Sequence, residues 1–279
     1  MEKINFVKMV AAGNDFIVID NTSGNYQFLA KGWSGLAKTL CDRKYGIGAD
    51  GILLLERSQN ADINMRIFNS DGSEAQMCGN GARCAALYTV RYQMPIVGNK
   101  INIQTKAGML DAFVTSDTVK LKMSDPHSMR LNIKLISGEL EIVAYYINTG
   151  VPHTIIFVDD LEDVDVASLG KDIRNNSEFS PEGTNVDFVK VLDKDKIAVR
   201  TYERGVEAET LACGTGSVAS AIMARLIKHS GDSVKNEWSV LTHGGEVLKV
   251  YFDKKESNIN NVFLEGSAKI TYEGSLAVS

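Results

Sequence analysis

Cysteine followed by Gly-x-Gly occurs twice in this 279-residue chain, at Cys78-Gly79-Asn80-Gly81 and, 135 positions later, at Cys213-Gly214-Thr215-Gly216. Each copy runs into small or apolar residues: Ala82, Ala85, Ala86 and Leu87 after the first, Val218, Ala219, Ala221, Ile222 and Met223 after the second. That order puts a thiol and a set of free backbone N–H groups at the start of a helix. The positive end of the helix dipole binds anions and favours a thiolate, and glycine lets a ligand come close to the backbone. A helix that is apolar nearly all round is a buried one. Each thiol should therefore emerge from the middle of a domain, and the pair implies a site between two half-proteins. Either cysteine alone would read as a small buried hydrophobe; two at matched positions argue for chemistry.

One reaction that needs two opposed thiols is inversion of a stereocentre next to a carboxylate. A base takes the α-proton and an acid on the opposite face returns one. A duplicated fold supplies that pair by symmetry, as a thiolate and a thiol across the α-carbon, and cysteine suits the work because its pKa is tunable toward neutrality at a helix start. The backbone N–H groups of Gly79-Asn80 and Gly214-Thr215 would stabilise the negative charge that builds on the carboxylate. Neither a metal nor another cofactor is required.

The elements that must hold the thiols follow from periodicity. Strands are expected at Lys3–Met9 and Ile17–Ile19, then a helix carrying Trp33, Leu36, Ala37, Leu40 and Cys41 on one face. Gly46-Ile47-Gly48-Ala49-Asp50-Gly51 matches a dinucleotide fingerprint, but it follows a helix and enters a strand (52–55), so it reads as a turn. Asp62–Phe68 alternates as a half-buried strand and ends in the turn Asn69-Ser70-Asp71-Gly72. Further strands are expected at 101–105, 109–115, 118–123, 131–136, 139–147, 154–158, 186–192, 197–203, 246–252, 261–264 and 269–273, with a weaker one at 239–242. A short helix and a loop fit Ser168–Glu182.

Aligning the halves on their cysteines extends the repeat. Gly48-x-Asp50 pairs with Gly183-x-Asn185, Arg66-Ile67-Phe68-Asn69 with Arg200-Thr201-Tyr202-Glu203, and Gly13–Val18 with Gly150–Ile155. The fold class is α+β, with two copies of one unit in which many strands wrap a central helix. The first spans residues 1–123, with the last strand (266–279) returning to it, and the second spans 124–265. Glu74 and Glu209 each stand four residues before their cysteine, where a helix dipole would stabilise a carboxylate.

Composition fits a soluble globular chain: 44% hydrophobic, 23% charged, net charge −5. Mild acidity gives no reason to expect nucleic acid or an anionic membrane as partner. The opening residues lack an apolar core of signal-peptide type, and no apolar run has the length of a membrane span, so a cytoplasmic protein is expected. The four cysteines, 41, 78, 84 and 213, fit neither a zinc site nor a disulfide framework. Cys41 and Cys84 fall on helix positions that suggest packing.

Several of these motifs together resemble the diaminopimelate epimerase family. They are Gly-Asn-Asp-Phe (13–16), Gly-Ile-Gly-Ala-Asp-Gly (46–51), Phe-Asn-x-Asp-Gly-Ser (68–73) and Met-Cys-Gly-Asn-Gly-x-Arg-Cys (77–84). Pro-His (152–153), Tyr-Glu-Arg-Gly (202–205) and Ala-Cys-Gly-Thr-Gly (212–216) follow in the same order. The resemblance implies a cofactor-independent isomerase that interconverts LL- and meso-2,6-diaminopimelate on the lysine and peptidoglycan route. It also implies two pseudo-symmetric domains, each a mainly antiparallel, barrel-like sheet around a helix, and a homodimer. By this resemblance Cys78 and Cys213 are catalytic. Asn14, Asn69, Asn185, Glu203 and Arg204 contact substrate, Gly79, Asn80, Gly214 and Thr215 cradle the reacting carboxylate, and His153 supports a thiol. Arg204 is suited to fork onto a distal carboxylate, and Glu203 to accept from an ammonium. Some members have asparagine where Val151 stands and glutamine where Gly51 stands, and the stretch 205–209 is one residue longer here.

Three other readings fit parts of the pattern. A two-cysteine racemase could act on proline, hydroxyproline, histidine or lysine, although Glu203, Arg204 and the asparagines favour a substrate that is zwitterionic at both ends. A thiol–disulfide sensor would use Cys78 and Cys213, but the chain has no Cys-x-x-Cys. A non-catalytic anion-binding module would need only the glycine loops. His127, His229 and His243 read as surface or loop residues.

Overall fold

The computed structural model describes residues 2–26, 32–92, 98–138, 140–228, 236–256 and 258–278. The chain divides into two compact units, Met1–Leu121 with Gly266–Ser279, and Lys122–Glu265. The first holds β1 (Glu2–Ala11), β2 (Asn14–Asp20), α1 (Gly32–Leu40), β3 (Gly51–Glu56), β4 (Ile63–Asn69), β5 (Glu74–Ala75) and α2 (Gly79–Arg91). It continues with β6 (Lys100–Thr105), β7 (Gly108–Thr115), β8 (Thr118–Lys122) and the C-terminal β18 (Lys269–Val278). The second holds β9 (His127–Ser137), β10 (Leu140–Asn148), β11 (Pro152–Phe157), α3 (Val166–Arg174), a 3₁₀ turn at Ser177–Phe179, β12 (Asn185–Asp193) and β13 (Lys196–Glu203). After these come β14 (Ala208–Thr210), α4 (Gly214–Ile227), β15 (Glu237–Thr242), β16 (Val247–Lys255) and β17 (Asn258–Ser267).

The two units have one topology. In the first, the ladder runs β18-β1-β2-β3-β4-β6-β7-β8, with β5 also on β4. In the second it runs β9-β10-β11-β12-β13-β15-β16-β17, with β14 also on β13. The third and fifth pairings are parallel in both, and the rest are antiparallel. The central helices take matching partners too: α2 packs on β1, β2, β3, β4, β6 and β7, and α4 on β10, β11, β12, β13, β15 and β16. The architecture is thus α+β, two repeats of a mainly antiparallel sheet around a helix.

Residue chemistry explains the layering. β3 reads Gly-Ile-Leu-Leu-Leu without alternation because both of its faces are covered. Ile52 and Leu54 join Ile17, Ile19, Leu36, Ala37 and Leu40 in a core under α1. Val186 and Phe188 of β12 do the same with Val166, Ile173 and Phe179 under α3. On the other face α2 is buried from Gly81 to Thr89, and α4 from Gly216 to Arg225. Among the described residues no helix is long and apolar enough to cross a membrane. β15 is fuller than Val240 and Leu241 alone imply: Trp238, Val240 and Thr242 face inward, and Leu241 faces out.

Three sequence-based details change. First, Gly48-x-Asp50 is not in register with Gly183-x-Asn185. Leu54 pairs with Arg66 as Phe188 pairs with Arg200, and Phe16 pairs with Gly51 as His153 pairs with Asn185. Asn185 therefore corresponds to Gly51, and the one-residue shift sends Asp50 elsewhere, since neighbouring strand side chains point to opposite faces. Second, Glu74 and Glu209 are not helix-start carboxylates. Glu74 lies on β5 and binds Arg66 Nε at 2.7 Å and Lys106 Nζ at 2.8 Å. Glu209 lies on β14 and takes Arg200 Nε at 2.6 Å and Nη2 at 2.8 Å. Each carboxylate is spent on the strand beside it, which explains why arginine and glutamate recur at matched positions. Third, Cys41 lies one residue past α1; it is still buried, and burial raises its thiol pKa to about 11. The Gly46–Asp50 segment is the turn between α1 and β3: the N–H groups of Gly46 to Ala49 bind carbonyls of Leu40, Cys41 and Asp42, and Asp50 N–H binds the Asp15 carbonyl. His127 and His243 are exposed, and His229 lies outside the described residues.

Candidate active site

In the first unit Cys78 is the residue at which β-conformation gives way to α2 (φ −145°, ψ 122°). Its Sγ accepts from Gly81 N–H at 3.5 Å, the bond by which an N-cap side chain satisfies an orphan donor. A glycine at 81 leaves room for Leu53, whose Cδ2 would stand 2.9 Å from an added Cβ. Gly79 has nothing within 4 Å of where a Cβ would be, so the first turn has room beside it. The Cys78 thiol also meets Asn14 Oδ1 at 3.6 Å. Asn14 Nδ2 in turn donates to Asp50 Oδ2 at 2.7 Å. Behind this pair stands an ionic cluster: Arg43 contacts both Asp15 (2.7 Å) and Asp50 (2.8 Å), and Lys8 reaches Asp15 at 2.6 Å. Burial works against ionisation of Asp15, but hydrogen bonds from Arg43 and Lys8 outweigh it and hold the carboxyl at about 2.

The second unit surrounds its cysteine differently. Cys213 caps α4 (φ −118°, ψ 115°) with no side-chain cap bond to the backbone, and its Sγ lies 3.5 Å from Thr215 Oγ1. Thr215 Oγ1 is 2.9 Å from His153 Nε2, and His153 Nδ1 is 2.7 Å from Asp187 Oδ2. His153 and Asp187 are both fully buried, and Thr201 donates its hydroxyl to Asp187 Oδ1 at 2.7 Å. A carboxylate only accepts, so His153 donates through Nδ1, and in the neutral imidazole Nε2 then accepts from the Thr215 hydroxyl. The thiol can then donate to Thr215, giving one directed chain from Cys213 to His153. Gly216 makes room for the pair: a Cβ would lie 2.3 Å from Asp187 Oδ1 and 3.2 Å from His153 Cε1. Burial raises the Cys213 thiol pKa well above its ordinary value, with the charges of Glu203 and Asp187 adding to the shift. Burial likewise raises Glu203, against a smaller opposing hydrogen bond from Thr210.

The remaining expected residues fall in two groups. Asn185 is buried, donating through Nδ2 to the Pro152 carbonyl at 3.0 Å and accepting at Oδ1 from Arg204 N–H at 2.8 Å. Its amide ties β11 to the Glu203-Arg204 corner. Arg204 Nη1 rests on the Glu182 carbonyl at 3.0 Å. Asn80 accepts from Arg83 Nη2 at 2.7 Å, and exposed Asn69 donates to Ser73 Oγ at 3.0 Å. Asn14 is thus brought to Cys78, and His153 and Thr215 to Cys213, whereas Asn69 is engaged with its own turn.

Sequence reasoning passed over Asp187, Thr201, Lys8 and Arg43. Asp187 could have been found, since an aspartate between Val186 and Phe188 in an otherwise apolar strand needs a buried partner.

The family model for diaminopimelate epimerase matches residues 6–129 and 145–271. The chain belongs to the diaminopimelate epimerase family. A diaminopimelate epimerase of Aquifex aeolicus is 42% identical over 282 residues, covering 98% of each chain. One of Methanocella arvoryzae is also 42% identical, over 100% of this chain and 98% of the relative. Solved structures share the fold at much lower identity. A phenazine biosynthesis protein of the PhzF family from Bacillus anthracis aligns with a TM-score of 0.76 at 18% identity, covering all of both chains. A hydroxyproline epimerase from Agrobacterium vitis aligns at 0.68 and 13%, over 99% of this chain and 93% of that one. Membership in the diaminopimelate epimerase family makes the chain an isomerase.

Proposed function

We propose that the chain interconverts LL- and meso-2,6-diaminopimelate by a cofactor-independent, two-base reaction, supplying lysine and peptidoglycan precursors. The observation that carries this reading is that Cys78 and Cys213 cap buried helices at equivalent points of two repeats with one topology. In each direction one cysteine, as thiolate, takes the α-proton, and the other, as thiol, gives its proton to the opposite face. The C–H bond broken on one side is replaced by a C–H bond on the other, and the two sulfurs exchange protonation states. The N–H groups at the starts of α2 and α4 stabilise the carbanion's charge as it spreads onto the carboxylate. Thr215, His153 and Asp187 supply Cys213 with a proton path that its buried surroundings would otherwise deny it. The relatives' shared name supports diaminopimelate as substrate over proline, histidine or lysine. We further propose a homodimer, a reading supported by the family resemblance and by exposed Ile270 and Tyr272 on β18.

The test is to incubate reduced protein with LL-diaminopimelate in D₂O, following α-proton exchange by NMR and isomer ratio by chiral chromatography. Cys78→Ala and Cys213→Ala run beside it. Exchange with conversion to the meso isomer, abolished in both variants, is the expected result. Folded, reduced protein that exchanges nothing would overturn the assignment, and competition by histidine, lysine and proline would then identify the substrate class.

A further inference from the structure

We propose that Asp50 is a positioning residue that locks the Asn14 amide with its oxygen toward Cys78. The proposal rests on the reading of Cys78 as one of the two acid–base thiols. It starts from an ambiguity in asparagine itself: oxygen and nitrogen of the amide are nearly the same size, and only their partners decide which points where. Here the partners leave one solution. Asp50 Oδ2 accepts from Asn14 Nδ2 at 2.7 Å and from Asp15 N–H at 3.1 Å. A carboxylate cannot donate, so the Asn14 oxygen is excluded from that side and must face Cys78 Sγ, where it stands at 3.6 Å.

Asp50 is itself held. Its Oδ1 takes Arg43 Nη2 at 2.8 Å, and the same guanidinium grips Asp15, whose other face is closed by Lys8. Four charges on β1, β2, the loop after α1 and the turn before β3 thus converge on the rotamer of one neutral side chain. Lys8 is a buried lysine, and burying an ammonium is expensive unless it is paired, so the cluster is a built feature.

The consequence is chemical. Gly81 N–H and the Asn14 oxygen address Cys78 Sγ with opposite preferences. Gly81 N–H donates to sulfur and favours thiolate, whereas the Asn14 oxygen accepts from S–H and favours thiol. By fixing the amide, Asp50 keeps the second preference in force in the direction of reaction in which Cys78 is the proton donor. With the lock gone, Asn14 can turn its Nδ2 to the sulfur, and both neighbours then favour thiolate.

Alkylation of Cys78 by iodoacetamide at pH 7.5, followed on the Cys78 peptide by mass spectrometry, reads this without needing turnover. It therefore stands whether or not the diaminopimelate assignment does. Asp50→Ala should speed alkylation by about three- to tenfold, the rate equivalent of one ordinary hydrogen bond. Asp50→Asn can present its own amide nitrogen to Asn14 and so also frees the amide to turn; it should accelerate alkylation too, by no more than Asp50→Ala does. In an Asn14→Ala background, Asp50→Ala should change nothing. An Asp50→Ala effect that survives without Asn14 would reduce the change to a lost charge and overturn the proposal, as would an unchanged alkylation rate in Asp50→Ala itself. If Asp50→Ala does not fold, Arg43→Gln loosens the same lock from outside and should give a smaller acceleration that again requires Asn14; its absence would count against the proposal.

Discussion

At Gly81 the start of α2 packs against Leu53, with Phe16 the ladder equivalent of His153; at Gly216 the start of α4 packs against His153 and Asp187. The ladders make these pairs equivalent. Phe16 opposes Gly51 as His153 opposes Asn185, and Leu53 opposes Ile67 as Asp187 opposes Thr201. Gly81 and Gly216 confirm it, since their missing Cβ atoms would strike Leu53 and Asp187 respectively. The same register matches Asn69 with Glu203, and the Gly13 and Gly150 turns match Asn14 with Val151. Duplication thus supplied two copies of the helix cap, and divergence made the two thiols chemically unlike. One has a neutral amide beside it and ionic groups behind the amide. The other has a buried imidazole–carboxylate pair behind a hydroxyl. On the proposed two-base reading, the two thiols share a helix start and differ in the groups placed behind them.

The sharpest way to break the comparison is to remove each thiol. Cys78→Ala and Cys213→Ala should each lower isomerisation by at least about 10³-fold, in the range of a lost acid–base group, although their surroundings differ. A loss confined to one variant, read by chiral chromatography, would mean that the other cap is structural.

Converting one unit's cap floor into the other's is the next largest effect. His153→Phe leaves Asp187 buried without its imidazole and should cost about 3 kcal/mol by denaturant unfolding, typical of breaking a buried pair. Asp187→Leu should cost a similar amount. Together they rebuild the Phe16–Leu53 arrangement, and the double variant should be clearly more stable than the sum of the single losses requires. Strict additivity would show that the two floors are not interchangeable solutions of one packing problem.

The glycines give a finer contrast. Gly216→Ala would drive a methyl to 2.3 Å from a carboxylate oxygen that Thr201 and the imidazole hold in place, whereas Gly81→Ala meets a leucine methyl at 2.9 Å. Overpacking of this kind costs about 1–3 kcal/mol. Gly216→Ala should fall at the upper end and Gly81→Ala at the lower. The reverse order in thermal melts would contradict the rigidity assigned to the dyad.

How much of this was visible in the sequence depends on what kind of signal a residue carries. The cysteine caps, the central helices and the repeat are legible because Cys-Gly-x-Gly and the apolar helices are local patterns. The β3 and β12 strands are legible because an apolar run has few other uses. Register is not local: the match of Gly48-x-Asp50 to Gly183-x-Asn185 looks as good on paper as the true one, and only the ladder separates them. Strands β5 and β14, of two and three residues, are too short to show a period. The cluster of Lys8, Arg43, Asp15 and Asp50 is assembled from four distant segments, so no window contains it. Arg66, Glu74, Arg200 and Glu209 were each noticeable as repeated residues, but nothing in the spacing says that an arginine twelve or thirteen residues before a cysteine grips a glutamate four before it.

That last pairing carries the smallest effect and the most specific pH dependence. The Arg66 hydrogen bond, with Lys106 behind it, outweighs the opposing burial and holds the Glu74 carboxyl at about 2; the Arg200 bond lowers Glu209 in the same direction. A carboxyl depressed in the folded state binds its proton more readily when unfolded. Its stabilising contribution is therefore complete above the ordinary glutamate value of about 4.3 and is lost as pH falls through the folded value. Glu74→Gln should lower stability at pH 7 by less than about 1 kcal/mol, since its partners are partly solvated. The gap between wild type and variant should then close as the pH is taken from 4.3 toward 2. Glu209→Gln should close its gap in the same direction as the pH falls below the ordinary glutamate value, because Arg200 faces Glu209 as Arg66 faces Glu74. A gap that stayed constant across that range would mean that packing of the side chain, and not its charge, is what the two repeats have kept.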